Sequence, residues 1–263
     1  MLPNTVLEMP SPATTPGEVL SPSQASTFLG CSAKWFFKYM VGLPDPAGGG
    51  AVRGKAVHAI VGHYLAAKAE GVTLDAQGIP DAYDAAWDAH AEGAEFSTYD
   101  CIEPLKQSGL QLVEKYIAEA APSIQPALIE FPVSGVIGGV PVRGFIDIVD
   151  SSGRVIDIKT ASRKSSTISA DHALQLATYT TLLPGASGEA RIDMLVSTKE
   201  PQLVQIDHAP GDAGQRLVER IYPLVAEGIA AGVYLPNRSS QLCSRRYCSF
   251  WRECEREFGG SIE

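Results

Sequence analysis

The chain has 263 residues, 45% of them hydrophobic and 19% charged, with a net charge of −9 at neutral pH. Such a length supports one core that buries on the order of 75% of the unfolded surface, the composition is that of an ordinary globular protein, and no run is long and apolar enough to predict a membrane span. The acidic balance excludes a binder that holds nucleic acid by overall charge alone.

Residues 1–20 are rich in Pro, Ser and Thr and are expected to form a flexible arm, with residues 21–263 a single domain. Ser21-Pro22-Ser23 opens a helix with a capping residue and an early proline. Apolar spacing predicts helices over 34–40, 52–69, 82–91 and 105–121, then strands over 128–133, 140–149 and 154–159. A helix over about 171–183, strands over 191–197 and 202–207, and a helix over 213–231 complete the chain. The expected class is α/β (α+β), a mixed sheet flanked by helices. Gly49-Gly50-Ala51-Val52-Arg53-Gly54-Lys55-Ala56 nearly spells a phosphate-binding loop, but Ala56 stands where the Mg²⁺-binding hydroxyl belongs and no strand precedes it, so no motor ATPase is implied.

The most informative stretch runs from Gly144 to Thr160, two apolar strands interrupted by Asp147, Asp157 and Lys159. Charges in core strands are costly unless paired or bound to a metal. Side chains alternate along a strand, so Asp157 and Lys159 share a face. A three-residue turn at Ser151-Ser152-Gly153, with the glycine at positive φ, sets Asp150 against Arg154 and Asp147 against Asp157. Opposed residues lie only about 4.5–5.5 Å apart, where two carboxylates repel unless a cation sits between them. Oxygen ligands favour Mg²⁺ or Mn²⁺. An edge hairpin with solvated aspartates fits the same residues.

Asp147 followed by Asp157-Ile158-Lys159 resembles the PD-(D/E)XK nuclease signature, and the surrounding residues are similar to its RecB-like branch. Other segments extend the resemblance over nearly all of residues 21–256. His58, ending Arg53-Gly54-Lys55-Ala56-Val57-His58, matches the family's GxxxH motif. Glu130 sits in a strand before the hairpin, where the family has an acidic residue; a solvent-facing glutamate on a half-buried strand reads the same way. Gln175 and Tyr179 match a QxxxY helix and, four apart, lie on one face.

The resemblance implies a restriction-endonuclease-like core with an N-terminal helical insertion and a C-terminal cysteine clasp. It implies that His58, Asp147, Asp157 and the Ile158 carbonyl hold Mg²⁺ or Mn²⁺, with Glu130 assisting. Lys159 would orient or deprotonate the attacking water, and Gln175 and Tyr179 would position Lys159 or the phosphate. The expected activity is a metal-dependent DNA exonuclease on single strands or DNA ends, in recombination, repair or end processing. The alternative is a DNA-binding accessory or end-trimming partner in a CRISPR-adaptation or phage recombination complex.

Five cysteines complete the pattern: Cys31, Cys101, Cys243, Cys248 and Cys254. One upstream cysteine and a C-terminal trio is the layout of the iron–sulfur RecB-like nucleases, so the resemblance implies a [4Fe–4S] cluster on Cys31, Cys243, Cys248 and Cys254. Four residues separate Cys243 from Cys248 where the family commonly has two, and zinc also accepts four thiolates. Cys101 is left over. The odd count and the lack of a basic-then-apolar leader predict a reducing, cytoplasmic setting. Candidate DNA contacts are Lys34, Arg53, Lys55, Arg163, Lys164, Arg245 and Arg246, with Tyr247, Phe250 and Trp251 interleaved at the C-terminus. Phe250 and Trp251 equally suit packing around the cysteines.

Overall fold

The computed structural model describes residues 15–263 except 73, 75 and 76. Ser21 caps the first helix, α1 (Pro22–Gly30), by accepting the Gln24 N–H at 3.2 Å. A short helix α2 (Ser32–Trp35) runs directly into a π-helical turn, Phe36–Met40. Three longer helices follow: α3 (Gly49–Ala69), α4 (Gly78–Ala91) and α5 (Ile102–Glu119). On α3 the buried residues Val52, Ala56, Val57, Ile60, Val61 and Leu65 recur at helical spacing. They pack with Tyr83 and Trp87 of α4 and with Leu112, Val113 and Tyr116 of α5. The expected helical insertion ahead of the strands is this layer.

Five strands follow: β1 (Pro126–Ile137), β2 (Val140–Asp150), β3 (Val155–Ala161), β4 (Ala190–Val196) and β5 (Gln202–His208), adjacent in that order. All neighbours are antiparallel except β3 and β4, which are parallel. The crossover between them is α6 (Ala170–Leu182). Helices α6 and α7 (Gly211–Ala230) cover one face of the sheet, meeting Val133, Val142, Ile146 and Ile192. The α3–α5 layer covers the other, meeting Ile148, Ile156, Ile158 and Leu195. The mixed α+β architecture is the expected one.

The β2–β3 turn has the expected form. Gly153 has φ +81°, its N–H donates to the Asp150 carbonyl at 2.9 Å, and the Asp150 N–H donates to the Arg154 carbonyl at 3.0 Å. Beyond that turn the strands pair only at Val149–Val155 and Ile148–Ile156 and then part. Leu20 fills the edge of β2 that β3 abandons: its N–H donates to the Pro141 carbonyl at 3.0 Å, and its carbonyl accepts the Arg143 N–H at 2.9 Å. Leu20 is 0% exposed. The expected arm therefore ends short of residue 20, because Val19 and Leu20 are core residues. Residues 1–14 of that arm lie outside the described residues.

Two other expectations change. Strand β1 continues past residue 133 through Ser134 and Gly135, which pair with Arg143 and Val142. A helix that the sequence reading did not predict, α8 (Trp251–Phe258), carries Cys254. Among the described residues no helix is long and apolar enough to cross a membrane.

Candidate active site

The site lies in the fork where β2 and β3 separate. The Asp147 Oδ2 accepts the Ile158 N–H at 2.8 Å, so a side chain takes the place of the next ladder bond. The His58 Nδ1, reaching down from α3, is 3.5 Å from the same oxygen. Across the gap, Lys159 Nζ lies 2.9 Å from Asp157 Oδ2 and donates to Oδ1 at 3.1 Å. Asp157 is 1% exposed, and its Oδ2 has no partner in hydrogen-bonding geometry among the described residues. His58, Asp147, Asp157 and Lys159 thus meet, as the sequence predicts.

Glu130 marks the same point on β1. Phe131 pairs with Ile146 and Ile129 with Ile148, which sets Glu130 opposite Asp147. Its φ is +47°, the left-handed region that a non-glycine residue enters at a cost on the order of 1–3 kcal/mol. Both strands change phase here: Ile146 faces the α6 layer and Ile148 the α3 layer. Gly62 of α3 faces the Glu130 side chain, where a Cβ would make an ordinary contact with Oε1 at 3.6 Å.

These groups shift one another's protonation. Burial pushes the Asp157 carboxyl up to about 6, helped by the charge of Asp147 and opposed by Lys159. Burial alone would also raise Asp147, but His58 and the Ile158 N–H outweigh it and hold this carboxyl below its usual range. Burial alone would lower the His58 imidazole, and the Asp147 carboxylate overrides it and raises it. Glu130 is raised by burial and by Asp147, with His58 opposing. The surroundings thus push the two carboxyls apart, Asp147 below its usual range and Asp157 above it.

The Gln175 Nε2 donates to the Tyr179 hydroxyl at 3.1 Å. Both line a cleft of about 570 Å³ that also contains Lys159. Tyr179 reaches β2 because residue 144 is glycine; a Cβ there would lie 2.7 Å from Tyr179 Cε1. The predicted QxxxY pair is therefore beside Lys159.

The family model for the PD-(D/E)XK nuclease superfamily matches residues 19–255. The chain belongs to the PD-(D/E)XK nuclease superfamily. A crystal structure called "Putative exonuclease", from Eubacterium rectale, superposes on this nuclease with a TM-score of 0.58 and 14% identity, over 91% of this chain and 92% of that one. That likeness is one of fold. The crystal structure of SSO0001 gives a TM-score of 0.40 at 14% identity, over 88% of this chain and 96% of its own. No curated protein matches this chain.

Away from the fork, Cys31, Cys243, Cys248 and Cys254 of the nuclease line one cavity of about 240 Å³. All four are free thiols, and Cys101 is exposed and apart from them. Burial raises the Cys248 and Cys254 thiols, and the neighbouring sulfurs add to the shift in each. Phe37, Phe250 and Ile262 close the cavity, so Phe250 packs around the cysteines. Among the described residues, no three His, Cys, Asp or Glu side chains are drawn close enough to hold a single metal ion. At the fork, His58 and Lys159 engage the two carboxylates instead.

The basic residues divide. Arg53 is buried, and its guanidinium donates to Ser197 Oγ at 2.8 Å and Ser108 Oγ at 3.3 Å, tying α3 to α5 and to the end of β4. It is structural and not a DNA contact, because α4 and α5 cover its face of α3. Arg245 donates from Nε to the Ile262 carbonyl at 2.6 Å and stacks on Trp251, bracing the C-terminal tail. Lys34 lies 3.9 Å from Asp45 at the rim of the thiol cavity. Lys55 lines a separate cavity with His58, His63, His90 and Glu130. Arg246 stacks on exposed Tyr99 and Tyr247, and Arg163 and Lys164 are exposed after β3.

Sequence reasoning missed Arg143 and Phe145, which line the cleft beside Lys159. Their alternation with Val142, Gly144 and Ile146 was the available signal. It also missed Asp193, fully buried on β4, which accepts from Tyr116 at 2.9 Å and Gln205 at 3.1 Å and pairs with Arg191 at 2.7 Å. That network fastens α5 to the sheet.

Proposed function

We propose that this nuclease is a DNA exonuclease that depends on Mg²⁺ or Mn²⁺ and acts on single strands or DNA ends in recombination, repair or end processing. The observation that carries the reading is the meeting of Asp147, His58, Asp157 and Lys159 in the fork, with Asp157 Oδ2 buried and faced by the Lys159 ammonium at 2.9 Å. A buried carboxylate oxygen of that kind fits a divalent cation. Asp147, Asp157, His58 and the Ile158 carbonyl would hold it, with Glu130 beside them. The bound ion supplies Lewis-acid polarisation of the phosphate and a more acidic water. Lys159 would orient the attacking water and offset negative charge building on the phosphate. Gln175 and Tyr179 fix the lysine's side of the cleft.

The four thiols suit a [4Fe–4S] cluster, since all of them line one largely apolar cavity. Zn²⁺ is the competing occupant. Either would clasp α2 to the C-terminal tail across the length of the chain and couple metal binding to folding.

The test is cleavage of end-labelled linear single- and double-stranded DNA, and of circular DNA, with Mn²⁺ and with chelator. Mn²⁺-dependent loss of nucleotides from linear substrates, with circles spared, is expected. Cleavage unaffected by chelator, or equal attack on circles, overturns the reading.

A further inference from the structure

Strand β2 presents Arg143, Phe145 and Asp147 at alternate positions, while Val142, Gly144 and Ile146 between them are buried. Phe145 is 54% exposed, although it sits in mid-strand beside the active site. A large aromatic ring left in water at a catalytic cleft calls for a partner. Arg143 makes no hydrogen bond or ion pair from its guanidinium to any described residue. Arg143, Gly144 and Phe145 are among the residues that line the 570 Å³ cleft containing Lys159, Gln175 and Tyr179.

The geometry points to a single-strand track along this side of β2. We infer that Phe145 stacks on the base next to the scissile phosphodiester and that Arg143 grips the phosphate beyond it. This inference rests on the nuclease reading of Asp147, Asp157 and Lys159, and it names the form of substrate that the site takes. Alternate residues of a regular strand are about 7 Å apart, so Arg143 and Phe145 stand about one nucleotide step apart just ahead of the fork. An unpaired, stretched strand offers a base and a phosphate over such a span. A duplex keeps its bases stacked on one another and gives Phe145 no face to meet.

Every base has a π-face, so the ring gives strand selectivity without sequence selectivity. The guanidinium adds a phosphate contact that salt weakens. Ser21, Pro22 and Ser23, at the start of α1, line the same cleft. The docking of Leu20 on β2 holds that turn in place.

The experiment measures binding of a fluorescent oligothymidine and of a blunt hairpin duplex by full-length protein, with Ca²⁺ present to suppress cleavage. A parallel assay follows cleavage of both substrates in Mn²⁺. Phe145→Ala is expected to weaken single-strand binding about tenfold or more, to leave duplex binding unchanged, and to leave the slope of log affinity against log salt unchanged. Phe145→Trp is expected to restore affinity. Arg143→Gln is expected to weaken binding and to reduce that slope by about 0.7. An abasic site stepped along the oligonucleotide should cost the wild type affinity at one position and cost Phe145→Ala nothing there. Because Phe145 is on the surface, a wild-type melting temperature checks that the variant is folded. Unchanged single-strand affinity in folded Phe145→Ala, or an equal loss on duplex, overturns the track and leaves the nuclease reading intact. Failure of the wild type to cleave any DNA in Mn²⁺ overturns the reading on which the track rests.

Discussion

The Asp147 carboxylate accepts the Ile158 N–H at 2.8 Å, and that one bond parts β2 from β3. It ties the position of an acid to the backbone of the strand that carries Asp157 and Lys159. Chemistry and architecture therefore meet in one side chain, and replacing it by different residues separates the two.

Asp147→Asn keeps an oxygen for the Ile158 N–H, and Asp147→Ala does not. Both are expected to lose at least about a hundredfold in cleavage, on the scale of removing one electrostatic contact to a developing charge. Only the alanine variant strands a buried N–H, at roughly 1–3 kcal/mol of stability. Cleavage rates and thermal melts of the two proteins side by side check this; equal melting temperatures would count against the structural half.

Asp157 is expected to oppose folding at neutral pH in the metal-free protein. Its carboxyl is raised from its ordinary 3.8 to about 6 by burial. The stability gained from the neutral acid is complete below about 3.8 and is lost as pH rises through about 6. Asp157→Asn removes that loss, so at pH 7.5 the variant without metal is expected to melt higher than wild type, by on the order of 2 kcal/mol. It is also expected to be inactive. Mn²⁺ should raise the wild-type melting temperature more at pH 7.5 than at pH 5.5, because protons compete for the same oxygens, and should barely move the variant. Calorimetry at the two pH values, with and without Mn²⁺, decides.

Glu130 occupies left-handed backbone opposite Asp147. Glycine adopts that conformation freely. Glu130→Gly is expected to gain about 1 kcal/mol in denaturant unfolding while losing activity at limiting Mg²⁺. A destabilised variant would show that the side chain, not the backbone, dominates at this position.

The four clustered thiols and the solitary one give an internal comparison. Cys248→Ser is expected to lose bound metal and several degrees of melting temperature, with impaired DNA binding following from the loosened tail. Cys101→Ser should match wild type in all three. Iron, acid-labile sulfide and zinc analysis of anaerobically purified protein identifies what the thiols hold; brown protein with four irons is the expected result.

Much of the site was legible because its residues break local rules. Asp147 and Asp157 interrupt apolar strands, and Gly153 fixes the turn that brings them together. The fork was not legible, since its cause is a side chain substituting for a backbone acceptor while the apolar pattern continues on both sides of it. Nor was the phase change at Glu130, where Ile129 and Phe131 still read as regular alternation. Arg53 looked like a surface cation because its cover comes from helices far along the chain. Phe145 was not singled out, since a periodic pattern assigns faces but cannot say which face stays uncovered.

The docking of Leu20 has a consequence for how the enzyme meets its substrate. With Leu20 bonded to Pro141 and Arg143, this stretch of β2 is saturated along both edges. The sheet cannot zip shut, and the groove stands open before any strand arrives. Binding then carries no charge for prising strands apart, the advantage of a preshaped receptor.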